Sequence, residues 1–75
     1  LALEALSHVS TMGADKYARH SWKNVSNCYQ RYEDAFYRHL TAHNAGEKLD
    51  DESGFPHQWH ALWNLMALVQ LNSEE

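Results

Sequence analysis

The stretch from Pro56 to Asn72, "PHQWHALWNLMALVQLN", limits this chain more than any other part of it. Trp59, Leu62, Trp63, Leu65, Met66, Leu68, Val69 and Leu71 spread over nearly every face of a helical wheel. A helix of that kind demands cover on all sides. The chain has 75 residues, which allows one domain, 1–75. Two other helices of so short a chain cannot cover this one well. The expectation is an all-α fold, a small bundle of about three main helices, completed by packing against another subunit. A domain this short buries only about 60% of its unfolded surface. Its single cysteine, Cys28, permits no internal disulfide, and no CxxC metal cage is present. Assembly into a dimer or larger homo-oligomer is the staple that remains.

Two further helices can be read. In Leu1 to Met12, the residues Leu3, Leu6, Val9 and Met12 recur at helical spacing, and Gly13 offers a stop. Residues 14–25 lack a long period and suggest a short helical turn. A second helix is expected from Ser26 or Asn27 to Asn44, with Asn27 and Gln30 as a capping box and Gly46 past the end. Its stripe is Tyr29, Tyr32, Phe36, His39 or Leu40, and His43. The third helix would start at Pro56, a favoured first-turn residue, with Ser53 as its cap. No strand pattern is visible.

The formal charge is −4, and Lys16, Arg19, Lys23, Arg31, Arg38 and Lys48 are scattered. A nucleic-acid polymer is therefore not an expected partner. No apolar run approaches 18 residues, so no membrane partner is expected. A lone cysteine fits a reducing compartment, the cytoplasm.

The chemistry gathers around residues 46–60, "GEKLDDESGFPHQWH". Glu47, Asp50, Asp51 and Glu52 are hard oxygen donors of the kind Mg²⁺ takes, although a solvated acidic loop is the commoner explanation of four such acids by themselves. Their spacing is not that of an EF-hand. His57, His60 and Asn64 fall at i, i+3 and i+7 and share one helix face. They suit metal ligation or phosphate contact, or they merely wet the exposed end of a buried helix. Asp34 and Arg38 lie one turn apart and are followed by His39. They make either a weak surface ion pair or a cation ligand beside a phosphate-binding fork. Lys16, Tyr17 and Trp22 offer a phosphate contact and aromatic faces for a base, or plain packing.

Taken in order, "ALEAL" at 2–6, "GADKYARHSW" at 13–22, "DAFYRHLTAHNAGEKLDDESG" at 34–54 and "HQWHALWNLMAL" at 57–68 resemble a family found mostly in bacteriophages. This is the N-terminal domain of dATP/dGTP diphosphohydrolases, a relative of the MazG-like all-α nucleotide pyrophosphatases. The resemblance covers almost the whole chain. It implies a helical nucleotide-binding domain that cleaves between the α- and β-phosphates with Mg²⁺ held by acids. Carried over by position, Lys16, Tyr17 and Trp22 match the first motif, and Asp34, Arg38 and His39 the second. Glu47, Asp50, Glu52, His57, His60 and Asn64 match the last two. The chain departs from the pattern at Ser21, where Asn is usual, at His43, where an aromatic is common, and at Asp51, where Pro is usual. It also lacks the Glu-x-x-Glu pair of MazG-like enzymes, and Glu47 to Asp50 is its one Glu-x-x-Asp.

On this reading Asp34, Glu47, Asp50 and Glu52 hold Mg²⁺. Lys16 and Arg38 neutralise phosphate, Tyr17, Trp22 and Asn64 help to bind the nucleotide, and His39, His57 or His60, with Asp34, serves the proton transfer. Three other readings stand beside it. The domain sequesters a nucleotide without cleaving it, possibly a host immune signalling nucleotide. His39, His57 and His60 form a transition-metal site, for which imidazoles are better suited than for Mg²⁺. Or the chain is a plain helical oligomerisation domain. A phage-encoded protein of this kind would work in the host cytoplasm.

Overall fold

A computed structural model describes residues 1–16 and 22–74, with the side chains of residues 14–16 excepted. It contains three α-helices, α1 (Ala2–Lys16), α2 (Cys28–Asn44) and α3 (His57–Ser73), and a 3-10 turn at Trp22–Asn24. The all-α expectation holds, and the short turn falls inside the connector where one was expected. No helix is long and apolar enough to cross a membrane, among the described residues.

α2 and α3 form the main packing interface, and α1 lies against α3. Cross-helix partners fix the direction of the pair. His43 meets Gln58, His39 meets His57, and Tyr29 reaches Asn72. The start of α2 thus meets the end of α3, and the end of α2 meets the start of α3, so the two are antiparallel.

The helix ends obey local chemistry more than the motifs suggested. Gly13 does not stop α1, which continues to Lys16. Its φ is not positive, so it sits as an ordinary helical residue. A glycine inside a helix costs only about 1 kcal/mol relative to alanine. Asn27 is no capping box. It adopts the left-handed region at φ 54 and makes no side-chain cap bond, a conformation asparagine tolerates well. Gln30 instead donates to Asp34 Oδ1 at 2.9 Å. Gly46, at φ 95, ends α2 in a full Schellman turn: Gly46 N–H reaches His43 O and Glu47 N–H reaches Ala42 O, both at 3.0 Å. That turn aims the chain at once into the acidic loop.

The loop folds back on itself. Leu49 and Pro56 form an isolated antiparallel bridge, with Asp50 N–H bonded to Phe55 O at 2.8 Å. Gly54, at φ 75, closes the bend. His57 N–H reaches back to Lys48 O at 2.8 Å. Pro56 precedes α3 rather than starting it, and Ser53 does not cap the helix.

Among the described residues the apolar core is small: Ala5, Val9, Ala61, Ala67 and Leu68 are the buried hydrophobics. Leu3, expected on the α1 stripe, is exposed. Val9 of the same stripe is buried as expected, and so is Ala5. A second apolar region is aromatic. Trp22, Tyr32 and Trp63 pack edge to face or tilted, with ring centroids 5.3–6.0 Å apart, and Trp63 Nε1 donates to Ser10 Oγ. α3 is not buried all round. Leu65 is 45% exposed and Val69 61%.

Candidate functional site

The buried polar residues of the described chain are all in one place. His39, His57, His60 and Asn64 are each only 6% exposed. His39 comes from α2, and the other three share the α2-facing side of α3, as their spacing requires. The loop bridge delivers Asp50 to the same point.

The contacts are close. His39 Nδ1 and His57 Nδ1 lie 2.7 Å apart, so one ring donates and the other accepts. His39 stacks on His60 at 4.5 Å between centroids and 15° between planes. His60 Nε2 lies 2.7 Å from Ser53 Oγ and 3.7 Å from Asp50 Oδ2. His57 Nε2 is buried without a hydrogen-bond partner. The nearest acid to it is Glu47, whose Oε2 is 3.6 Å away. A buried, unpartnered ring nitrogen costs free energy unless something binds it.

Burial and neighbouring charge favour the neutral form of His39 and His60. Burial first, then the positive sides of His60 and Arg38, push the His39 pKa down to about 4. Burial lowers His60 as well, against the opposing pull of Asp50. For Asp50 burial acts upward. The two hydrogen bonds from Ser53, with His60 and His39 nearby, outweigh it and leave the carboxyl below its usual value. Asp50 is thus an ionised carboxylate beside two neutral imidazoles, His39 and His60. That is the protonation state in which histidine binds a cation.

One ligand atom each from His39, Asp50 and His57 can be chosen so that all lie within 4.8 Å of one another. This is the one such group of three metal-ligating side chains among the described residues. Two imidazoles and a carboxylate suit Zn²⁺, Mn²⁺ or a similar ion, with Glu47 beside them to add an oxygen.

The other expected site residues divide. Arg38 is exposed on α2, and its charge is felt at His39 and His60. Glu52 is exposed and acts on His60. Asn64 is buried in the cluster but donates Nδ2 to His60 O at 2.7 Å, a bond within its own helix. Asp34 is exposed and accepts from Gln30 rather than pairing with Arg38. Five helical positions from His39, it points about 140° away from it around α2. Trp22 packs on Tyr32 and Trp63 and not on the histidines. Tyr17 and the side chain of Lys16 lie outside the described residues. Sequence reasoning missed Ser53 as a member of the cluster. The signal was present: an Asp and a Ser three apart, just before a Gly, form side-chain-to-backbone turns of their own.

A comparison with curated proteins and one with solved structures each found no match. The sequence profile of the family described as dATP/dGTP diphosphohydrolase, N-terminal, matches residues 1–75, the whole chain. Each stretch quoted from the sequence falls inside that match, and the residues of the buried cluster come from two of them. The chain belongs to the dATP/dGTP diphosphohydrolase N-terminal domain family.

Proposed function

We propose that this domain holds a divalent cation at His39, Asp50 and His57 and cleaves a purine deoxynucleoside triphosphate into the monophosphate and pyrophosphate. The observation that carries this reading, in a chain of this family, is the buried His39–Asp50–His57 group with its unpartnered His57 Nε2. A bound cation would neutralise phosphate charge as the leaving group departs.

The chain's own residues do the rest. Arg38, exposed beside His39, binds phosphate oxygens with its fork. A water oxygen bonds to phosphorus while the bridging P–O bond between the α and β positions breaks, and pyrophosphate leaves with the electron pair. The water proton passes to the unprotonated nitrogen of a neutral histidine of the cluster. Mg²⁺ prefers an all-oxygen shell. Here Asp50 and Glu47 are the carboxylates beside the rings, so Mn²⁺ or Co²⁺ should support turnover at least as well.

Sequestration of an intact nucleotide is the second reading. It is favoured by the missing Glu-x-x-Glu pair. One experiment separates the two: incubate metal-stripped protein with dATP or dGTP and Mg²⁺, Mn²⁺ or Co²⁺, then chromatograph what is released. Monophosphate with pyrophosphate supports hydrolysis. Intact triphosphate recovered from a bound fraction supports sequestration, and ligand that never binds removes both.

We also infer that the exposed apolar side of α3, Leu65 and Val69, packs against a second copy of the chain. The small buried core supports this.

A further inference from the structure

Ser53, expected only as a helix cap, instead engages Asp50, Phe55 and His60. Its backbone N–H donates to Asp50 Oδ2 at 2.9 Å, and its hydroxyl meets the same oxygen at 2.8 Å. Phe55 N–H donates to Ser53 Oγ at 3.1 Å. His60 Nε2 lies 2.7 Å from the same Oγ.

The proton count is closed. A serine hydroxyl carries one proton, and an ionised carboxylate can only accept. The bond to Asp50 therefore uses the hydroxyl proton. The contact with His60 must then be donated by the ring, from Nε2–H. A neutral His60 is left with its lone pair on Nδ1. Both Ser53 bonds to Asp50 also fall on Oδ2, which leaves Oδ1 as the oxygen for a cation.

We propose that Ser53 is a positioning residue for the reaction: it fixes His60 as the Nε2–H tautomer and turns the Asp50 carboxylate, in a single latch. The argument about the tautomer stands on geometry. Its importance for turnover rests on the diphosphohydrolase reading. Partners of this kind, one step removed from ligands, typically change affinity or activity by 10–100-fold when lost.

The test is nitrogen-15 NMR of histidine-labelled, metal-stripped protein at neutral pH, with dGTP turnover measured in parallel. In the unsubstituted protein the His60 signal should show a protonated Nε2 and a bare Nδ1. Ser53→Ala should release it to a tautomer mixture and lower kcat about tenfold with little change in KM. Ser53→Thr, which keeps the hydroxyl, should restore both. A His60 with its proton on Nδ1 in the unsubstituted protein would overturn the proposal, even if Ser53→Ala failed to fold. So would a Ser53→Ala protein whose His60 signal is unchanged. If the tautomer behaves as expected but dGTP is never cleaved, the hydrolase reading fails and the latch stands.

Discussion

The two ends of α3 contradict their own composition. At its start, His57, His60 and Asn64, all polar, are 6% exposed. Toward its end, Leu65 and Val69, both apolar, are 45% and 61% exposed. Beside its buried Ala61, Ala67 and Leu68, the helix has buried three polar side chains and left two apolar ones in water. Burying polar groups is unfavourable unless they are bonded or hold something, and the free energy has to come from elsewhere. At the first end it comes from a hydrogen-bonded cluster that leaves one nitrogen open. At the second it would come from a partner surface. In the proposed reading the polar end carries the chemistry, and the apolar end carries the assembly.

Substitutions and conditions beyond those at Ser53 should break or sharpen this contrast. Asp50→Asn removes the one buried-side carboxylate of the cluster. It should lower dGTP turnover at least about 100-fold, about 2.7 kcal/mol in the barrier, while the circular dichroism spectrum stays helical. Trp63→Ala strips the aromatic packing with Trp22 and Tyr32. It should cost about 2–3 kcal/mol in denaturant titration, near the low end for a large aromatic because Trp63 is only half-buried.

The third test is pH. His39 titrates near 4 when folded, against an ordinary 6.5, and His60 is shifted the same way. The unfolded chain thus binds more protons between those values. Stability from these rings is complete above about 6.5 and is lost as pH falls toward 4. Melting of the metal-stripped protein, followed from about pH 7 to about pH 4.5, should fall steadily. His39→Gln should flatten part of that slope. Val69→Asp should leave the cluster intact but shift sedimentation toward monomer, and a parent protein that already sediments as a monomer would defeat the second-copy inference.

The effect of Lys23→Ala should be the smallest. Lys23 pairs with Glu74 on the surface, where ion pairs are screened by solvent and salt. The melting temperature should not move measurably.

Much of the architecture was readable because it follows from period. The i, i+3, i+7 spacing of His57, His60 and Asn64 placed them on one face, and the structure buries that face against α2. Gly46 was a sound stop because only a residue at ease with positive φ fits a Schellman turn. Helix ends that depended on one motif fared worse. Asn27–Gln30 has the capping letters, but the left-handed Asn27 turns its side chain away from that use. Asp34 was read into the site from its motif, and helix geometry turns it aside, because five positions do not return to the same face. Ser53 was hidden for the opposite reason. Its partners are set by the fold of the loop, by Gly54 and the Leu49–Pro56 bridge, and no periodicity announces that.

The central claim is that the buried polar cluster exists to hold a cation. Calorimetric titration of metal-stripped protein with Mn²⁺, run in parallel on Asp50→Asn and His57→Ala, tests it most directly. The account predicts saturable binding of the ion by the parent protein, weakened at least about tenfold by either substitution. Absence of binding, or binding that both substitutions leave unchanged, would contradict it.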